Sequence, residues 1–298
     1  MYLDRSNWLG LAAVCMWSTV AVGFKLGLQH MTPIQLLWMG ACFSWLLFTA
    51  CILLMPKPTF TFKLVGAALL LGLLNPVAYY VVLFTAYDLL PAHVAQPLNY
   101  TWAIVTALLA VPLLGQHLKR TTLIGIFIGY CGVVLLVTKG HFLQLPDFDI
   151  LGVGLALLST VLWAFYWLWS VKVRLPPWWI MWFGFTAALP VLTLLCVFLS
   201  GIPELTLLNL GFGAWIGWLE MGFAFLCWQH AMSITSSVAK LSQLIYLSPL
   251  ISLVLIYSIL NEPIHFTAAI ALALVLGGLH LVNRQSIVDA AASNEKTN

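Results

Sequence analysis

The stretch LVGAALLLGLLNPVAYYVVLFTAY, from Leu64 to Tyr87, carries no charge and is fenced by Lys63 on one side and Asp88 on the other. A bilayer core takes about 20 helical residues to cross, and a charge at its centre costs about 2.5–3.5 kcal/mol or more. The stretch therefore reads as one membrane-spanning helix. Its apolar residues are continuous rather than alternating, which excludes a strand of a membrane barrel.

The same parsing extends in both directions. Charge-free windows run from Ser6 to Phe24, Leu26 to Pro56, Leu89 to His117, Thr121 to Thr138, Ile150 to Val171, Leu175 to Pro203, Leu241 to Asn261 and Pro263 to Asn283, and Leu205 to Ala239 is interrupted only by Glu220. Proline-bearing connections such as Met31-Thr32-Pro33, Pro56-Lys57-Pro58, Leu145-Pro146-Asp147, Leu175-Pro176-Pro177 and Gly201-Ile202-Pro203 separate them, because proline blocks the helix before it. The expectation is an all-α membrane protein with ten transmembrane helices near 8–28, 33–55, 62–86, 90–113, 121–138, 150–171, 178–199, 209–231, 236–258 and 265–283. The run from Asn7 to Phe24 lacks a small-residue cleavage site and reads as the first span, retained in the mature chain. The polar tail from about Gln285 to Asn298 reads as disordered.

Composition agrees with this parsing. The chain is 62% hydrophobic and 7% charged, with a mean hydropathy of +1.02, too apolar to be covered by polar surface in water. A net charge of +3 without a basic cluster leaves nucleic-acid binding no electrostatic footprint. Cys15, Cys42, Cys51, Cys131, Cys196 and Cys227 lie in apolar stretches without metal-ligand spacing and read as packing residues.

Orientation follows from lysine and arginine. With the N-terminus inside, one side of the ten-span arrangement receives Arg5, Lys57, Lys63, Lys119, Arg120, Lys172, Arg174, Lys240, Arg284 and Lys296, and the other only Lys25 and Lys139. Both termini are expected in the cytoplasm.

An internal repeat recurs at an offset of about 145 residues. Leu9-Gly10 falls against Leu151-Gly152, Trp17 against Trp163, Lys25 near Lys172, Ala86 on Ala231, Pro91-Ala92-His93-Val94-Ala95 on Ser236-Ser237-Val238-Ala239-Lys240, and His117 on Glu262. The repeats are 6–140 and 146–284, followed by the 285–298 tail. Five spans in each half make the second inverted relative to the first, the architecture that lets a central site open alternately to each side.

With its tryptophans in the first and sixth spans, the Ala-x4-Pro-Ala and Ala-x4-Ser-Ser starts of the fourth and ninth, Pro249, Asn261-Glu262, and glycines at 125, 129, 132, 277 and 278, the chain resembles the drug/metabolite transporter superfamily in its ten-helix EamA-type branch. Gly115-Gln116-His117 stands where that family usually has a glutamate, so no role carries over to His117. The resemblance implies a bacterial inner-membrane exporter of small metabolites. Its tryptophan- and tyrosine-rich mid-helices look most like those of exporters of amino acids, aromatic ones included; drugs or other metabolites are the alternative cargo.

Candidate transport residues follow from polarity at depth. Glu220 is the one acidic residue well inside a span, and its repeat-mate is Asn75. A buried carboxylate is costly when charged unless it faces a cavity or a partner, so it can take up and release a proton during transport; the competing reading is a structural bond to a neighbouring helix. Trp17, Trp163 and Trp102 lie at mid-depth, where aromatic faces can stack on a substrate or simply pack. Trp8, Trp178, Trp179 and Trp182 lie near span ends and need only the interfacial explanation. His93, Gln96, Asn99 and Tyr100 form a polar stripe on the fourth span, Lys240, Gln243 and Tyr246 a similar run on the ninth, and Tyr79 follows Asn75 by one turn. These groups suit a substrate's carboxylate and ammonium, or interhelical hydrogen bonds. Pro76 and Pro97 can free backbone groups for the same purpose.

The glycines of the fifth and tenth spans can pair with each other or with a second protomer. No catalytic constellation, HExxH, GxSxG, P-loop or metal-spaced histidine set occurs, so no cofactor or metal is expected, and neither an enzyme nor a nucleotide-fuelled pump is favoured. A channel lacks a filter-like segment and rings of charge. The expected partners are a small-molecule substrate and the lipid bilayer, with proton coupling or facilitated diffusion as the driving mode.

Overall fold

A computed structural model describes residues 5–114, 120–138, 140, 149–170, 173–234, 241 and 244–295. Among these, every regular element is helical. The helices are α1 (Arg5–Leu28), α2 (Pro33–Leu54), α3 (Phe62–Leu89), α4 (Ala92–Tyr100 and Trp102–Leu114), α5 (Arg120–Thr138), α6 (Ile150–Ser170), α7 (Pro177–Leu199), α8 (Leu207–Ala231), α9 (Leu247–Leu260) and α10 (Phe266–Glu295). Six of them, α1, α2, α3, α6, α7 and α8, are long and apolar enough to cross a membrane. In α5, α9 and α10 the apolar stretches are the shorter Leu123–Leu136, Leu247–Leu260 and Phe266–Leu281.

Local chemistry sets the helix starts. Thr32 accepts from the Gln35 backbone N–H while its own N–H donates to Gln35 Oε1, a reciprocal cap preceding Pro33. Thr61, Asp149 and Thr206 cap α3, α6 and α8 in the same sense.

The structure corrects the sequence reading at three boundaries. The fourth span is interrupted at Thr101, whose hydroxyl donates back to the Leu98 carbonyl at 2.7 Å. Before α9 there is a 3-10 turn, Leu244–Tyr246, in place of continuous α-helix. Finally, α10 continues through the polar tail to Glu295, since Ser286–Glu295 contains neither glycine nor proline and is rich in alanine.

Helix pairing repeats when the halves are exchanged. The α1/α8 contact matches α6/α3, α7/α3 matches α2/α8, and α4/α6 matches α9/α1, while α2/α7 and α5/α10 map onto themselves. Glycines sit at three of these crossings. A Cβ at Gly72 would strike the Gly184 backbone, and one at Gly217 the Gly40 carbonyl, an equivalent pair of near-contacts. A Cβ at Gly278 would meet Gly125 and Gly129 backbone, so the glycine faces of α5 and α10 pack on each other within the chain. Tryptophan-to-threonine bonds stitch α2 to α7: Trp38 to Thr193 (2.9 Å), Trp45 to Thr186 (3.0 Å) and Trp182 to Thr49 (3.0 Å).

Two ends are thereby defined. At one, Lys25 Nζ donates to the Tyr87 and Leu90 carbonyls, and Gln35 donates to Ser200 and Gly201. Asp88, Asp149, Glu204 and Glu262 lie here, and this is the acidic end. At the other, Trp179 Nε1 reaches the Pro56 carbonyl and Gly10 packs on Leu241 and Leu244. Arg5, Lys57, Lys63 and Arg174 mark this as the basic end. The exterior between the ends is apolar, with Phe127, Val197, Phe198 and Leu250 exposed, as a lipid-facing surface requires.

Candidate functional site

Midway along α8 the helix widens into a π-type turn over Trp215–Phe223, and midway along α3 it is kinked within Leu73–Ala78. These two interruptions occupy equivalent places in the two halves and carry Asn75 and Glu220, the repeat-mates singled out by sequence. Widened turns cluster at functional sites because the extra residue breaks the hydrogen-bond ladder. In α3, Asn75 itself departs from helical backbone angles (φ −142°, ψ 114°) immediately before Pro76.

Glu220 is 9% exposed. Its Oε1 accepts from the Tyr80 hydroxyl at 3.0 Å, and its Oε2 has no hydrogen-bond partner among the described residues. Asn75, also buried, has an unpartnered Oδ1. Two acceptor oxygens at equivalent interruptions are thus left free, the Asn75 amide oxygen to receive a donor group and the Glu220 carboxyl oxygen to receive a donor group or a proton.

An aromatic cluster surrounds this pair. Trp163 packs on Tyr79 (4.6 Å between centroids), Tyr166 (5.7 Å), Trp167 (5.9 Å), Phe225 (6.0 Å) and Trp102 (6.4 Å). Tyr79 in turn packs on Tyr80 at 4.7 Å. Trp17 joins from the other side, 5.8 Å from Phe225 and 5.5 Å from Trp228. The structure therefore brings Trp17, Asn75, Tyr79, Trp102, Trp163 and Glu220 into one region, with Phe225 as the bridge between the symmetric tryptophans.

The polar stripe of α4 divides. Asn99 donates to Ser159 Oγ at 3.0 Å and to the Tyr79 hydroxyl at 3.4 Å, an interhelical tie at the edge of the cluster. Gln96 is buried and Tyr100 half-buried on the same helix. His93 instead lies at the acidic end, its Nδ1 2.8 Å from Glu262 Oε2. Gln243 and Lys240 lie outside the described residues, as does the side chain of Tyr246.

The Glu262 carboxylate was not foreseen as a site. It accepts from the Ala92 and His93 backbone N–H groups at 3.0 and 3.2 Å and from the His93 ring, capping α4 from the opposite repeat. Burial pushes this carboxyl up, but the three hydrogen bonds, with the electrostatic attraction of His93, outweigh it and hold the group below the ordinary carboxylate range. Asn261, in the left-handed region at φ 53°, turns the chain so that Glu262 follows directly on α9. The signal available in sequence was the marked Asn261-Glu262 pair opposite His117.

Toward the acidic end Phe24 of α1 packs on Phe84 (4.2 Å) and Tyr87 (5.2 Å) of α3, all fully or nearly fully buried. At the basic end a cavity of ≈ 240 Å³ remains, bounded among others by Phe48, Tyr166, Trp167, Trp178, Phe225 and Gln229. Gln229 occupies the repeat position of Phe84, so a polar side chain lines the cavity where its counterpart in the other half is a buried aromatic ring. Trp178 lines this cavity, and Trp179 and Trp182 tether α7 to neighbouring segments, so of the four tryptophans assigned to the interface only Trp8, 58% exposed, fits that role alone.

A family model for EamA-like transporters matches residues 5–138 and again 150–284. The chain belongs to the EamA-like transporter family. It is a multi-pass membrane transporter for a small-molecule substrate, built from two repeats of this EamA unit. One similar curated protein is the aromatic amino acid exporter YddG of Ancylobacter novellus, 28% identical over 209 residues that cover 67% of this chain and 70% of that protein. A solved crystal structure of a protein 20% identical in sequence superposes with a TM-score of 0.67 over 93% of this chain and 95% of that one, sharing the fold.

Proposed function

We propose that this EamA-like protein is a secondary transporter that exports amino acids, aromatic ones included, from the bacterial cytoplasm by alternating access. In this reading 6–140 and 146–284 are two inverted five-helix halves with ten crossings in all, set in the inner membrane. The basic end and both termini, including the 285–298 tail, are cytoplasmic, as the lysine and arginine bias requires. The observation that carries it is the buried Glu220–Tyr80 pair, with one carboxyl oxygen unpartnered, set in a widened turn beside an aromatic cluster. Trp17, Asn75, Tyr79, Gln96, Asn99, Tyr100, Trp102, Trp163 and Glu220, with Gln243 and Tyr246, form the substrate path. Stacking by the aromatic rings covers an apolar side chain at low entropic cost, while Asn75 and Glu220 offer acceptors to an ammonium or a proton. The exporter name of the Ancylobacter relative favours the same substrate class.

Counterflow of labelled phenylalanine and threonine in proteoliposomes, with a nucleotide sugar as comparison, tests this reading. Saturable exchange of amino acids is the expected outcome. Exchange of none of them moves the substrate to drugs or other metabolites. If Glu220 couples a proton, Glu220→Gln removes the pH dependence of flux in a folded protein, and unchanged pH dependence takes it out of that role.

A further inference from the structure

A tight corner between two helices leaves carbonyls unpaired at the end of the first and N–H groups unpaired at the start of the second. At the α3–α4 corner both sets are taken by side chains from elsewhere in the chain. Lys25 Nζ of α1 donates to the Tyr87 and Leu90 carbonyls at 2.8 and 2.9 Å. The Glu262 carboxylate, in the turn between α9 and α10, accepts from the Ala92 and His93 N–H groups at 3.0 and 3.2 Å and lies 2.8 Å from the His93 ring Nδ1. A cation thus sits on a helix C-terminus and an anion on a helix N-terminus, the signs that both helix dipoles favour. Because the Glu262 carboxyl is held below the ordinary range, the anion persists at neutral pH.

These bonds join two groups of helices. In one, α1 packs on α8 and α9; in the other, its counterpart when the halves are exchanged, α6 packs on α3 and α4. Gly152 of α6, where a Cβ would strike the Leu89 and Leu90 side chains, seats the corner on its own group, whereas Lys25 and Glu262 reach it from the other. The groups meet again at mid-depth, where Tyr80 of α3 donates to Glu220 of α8. At the basic end they stand apart, since the ≈ 240 Å³ cavity is lined by Tyr166, Trp167 and Ser170 from α6 and by Phe225, Leu226 and Gln229 from α8. The two groups are therefore pinned together at one end and parted at the other. Gln35, which donates to Ser200 and Gly201 at the acidic end, ties α2 to the end of α7 and does not join these two groups.

We propose that Lys25 and Glu262 form a clamp on the α3–α4 corner that holds the acidic end shut while the basic end is open, and that exit at the acidic end requires its release. The assignment rests on the alternating-access reading above and names the gate in it. Opening the acidic end draws the corner away from α1 and from the α9–α10 turn, so the Lys25 and Glu262 bonds are given up together, and the groups then close on the space at the basic end. Removing either side chain deletes bonds made only in the first state, so the equilibrium moves toward the form open at the acidic end.

The rate at which a membrane-impermeant maleimide reaches a thiol in the basic-end cavity tests the clamp. Ser170→Cys supplies that thiol in the full-length protein in nanodiscs, and mass spectrometry reads it on a peptide free of native cysteine, since none lies between Cys131 and Cys196. In this background Lys25→Met and Glu262→Ala each remove charged hydrogen bonds and are expected to shift the balance of the two end-states by about tenfold. Labelling should slow by about twofold or more in each, and further in the double variant. Gln35→Ala, which removes bonds at the same end but outside the clamp, should leave the rate unchanged. Glu262→Gln keeps the side chain's shape and one acceptor and should slow labelling in the same direction, which provides the reading should Glu262→Ala fail to fold. Labelling that is unchanged or faster in the single and double variants overturns the clamp, because loss of a merely structural cap loosens the corner without closing the far end. An equal slowing in Gln35→Ala also overturns it, assigning the effect to general loosening at that end. Phenylalanine added to the parent separates the clamp from the reading beneath it. Labelling that responds to phenylalanine but not to the variants overturns the clamp alone, whereas labelling that responds to the variants but not to phenylalanine sustains the clamp and removes that amino acid as cargo.

Discussion

Tyr80→Phe deletes one oxygen from the centre of the protein and leaves everything else in place. The ring keeps its contacts with Tyr79 at 4.7 Å and Phe84 at 5.5 Å, so the packing contribution is retained. What is lost is the 3.0 Å bond to Glu220 Oε1, after which neither carboxyl oxygen has a partner among the described residues. A buried polar group left unsatisfied costs about 1–3 kcal/mol. Glu220→Met makes the converse change, leaving the Tyr80 hydroxyl, in a side chain only 2% exposed, without its acceptor, at a similar cost. The double variant replaces both partners by apolar groups of similar shape, a change that is close to neutral. The two single losses should therefore not add, and the coupling should be at least about 1 kcal/mol. Thermal midpoints of the purified variants in detergent provide the readout, at roughly 2–4 °C for each kcal/mol. Each single variant is expected to melt several degrees below the parent, and the double no lower than the worse single. Additivity within about 0.5 kcal/mol would refute the pairing and with it the account of Glu220 as a group held by one hydroxyl.

Three further outcomes are expected. Trp17→Ala and Trp163→Ala each remove aromatic contacts worth about 0.5–1.5 kcal/mol apiece and should weaken transport several-fold in a proteoliposome uptake assay, whereas Trp8→Ala, at the exposed end of α1, should not; equal effects would remove the central cluster from the substrate path. Gly72→Ala and Gly217→Ala place a methyl group against backbone at equivalent crossings and should each cost about 1–3 kcal/mol, while Gly66→Ala, with open space around it, should be neutral or better by thermal melting. Glu262→Gln should lose about 0.5–2 kcal/mol of helix capping at neutral pH. Because the native carboxyl is held low, its contribution is present above the ordinary value of about 4.3 and is lost as pH falls through the lowered one, so the two proteins should converge in stability only once pH has fallen past that lowered value.

Much of the fold was legible because charge alone partitions the chain. A span cannot tolerate an unpaired Lys or Asp at its centre, so Lys63 and Asp88 fence α3 to within two residues of its observed bounds. The boundaries that escaped detection are those set by backbone hydrogen bonding. Thr101 interrupts α4 by turning its hydroxyl onto the Leu98 carbonyl, and threonine at mid-span is compatible with either outcome until that bond is seen. The α10 extension past Gln285 carries polar residues that resemble a disordered tail by composition, while its alanines and lack of breakers permit helix.

The site divides along the same line. That Asn75, Glu220, Trp17 and Trp163 come together in one region was legible because repeat symmetry and polarity at depth are properties of the sequence itself. The basic-end cavity was not, because nothing in a list of fourteen tryptophans distinguishes one whose N–H is paired from one whose N–H is not. Trp178 and Trp179 are adjacent and alike in sequence, yet α7 turns one toward the Pro56 carbonyl and the other to the cavity wall. The difference between a paired indole N–H and an unpaired one is thus a matter of helical phase, about 100° per residue, set by which face of α7 packs on α2. That packing is fixed by the threonine ladder of Thr49, Thr186 and Thr193. The residues that hold α7 in phase are therefore also the ones that leave Trp178 unpaired, which ties the geometry of the cavity to the interface between the halves.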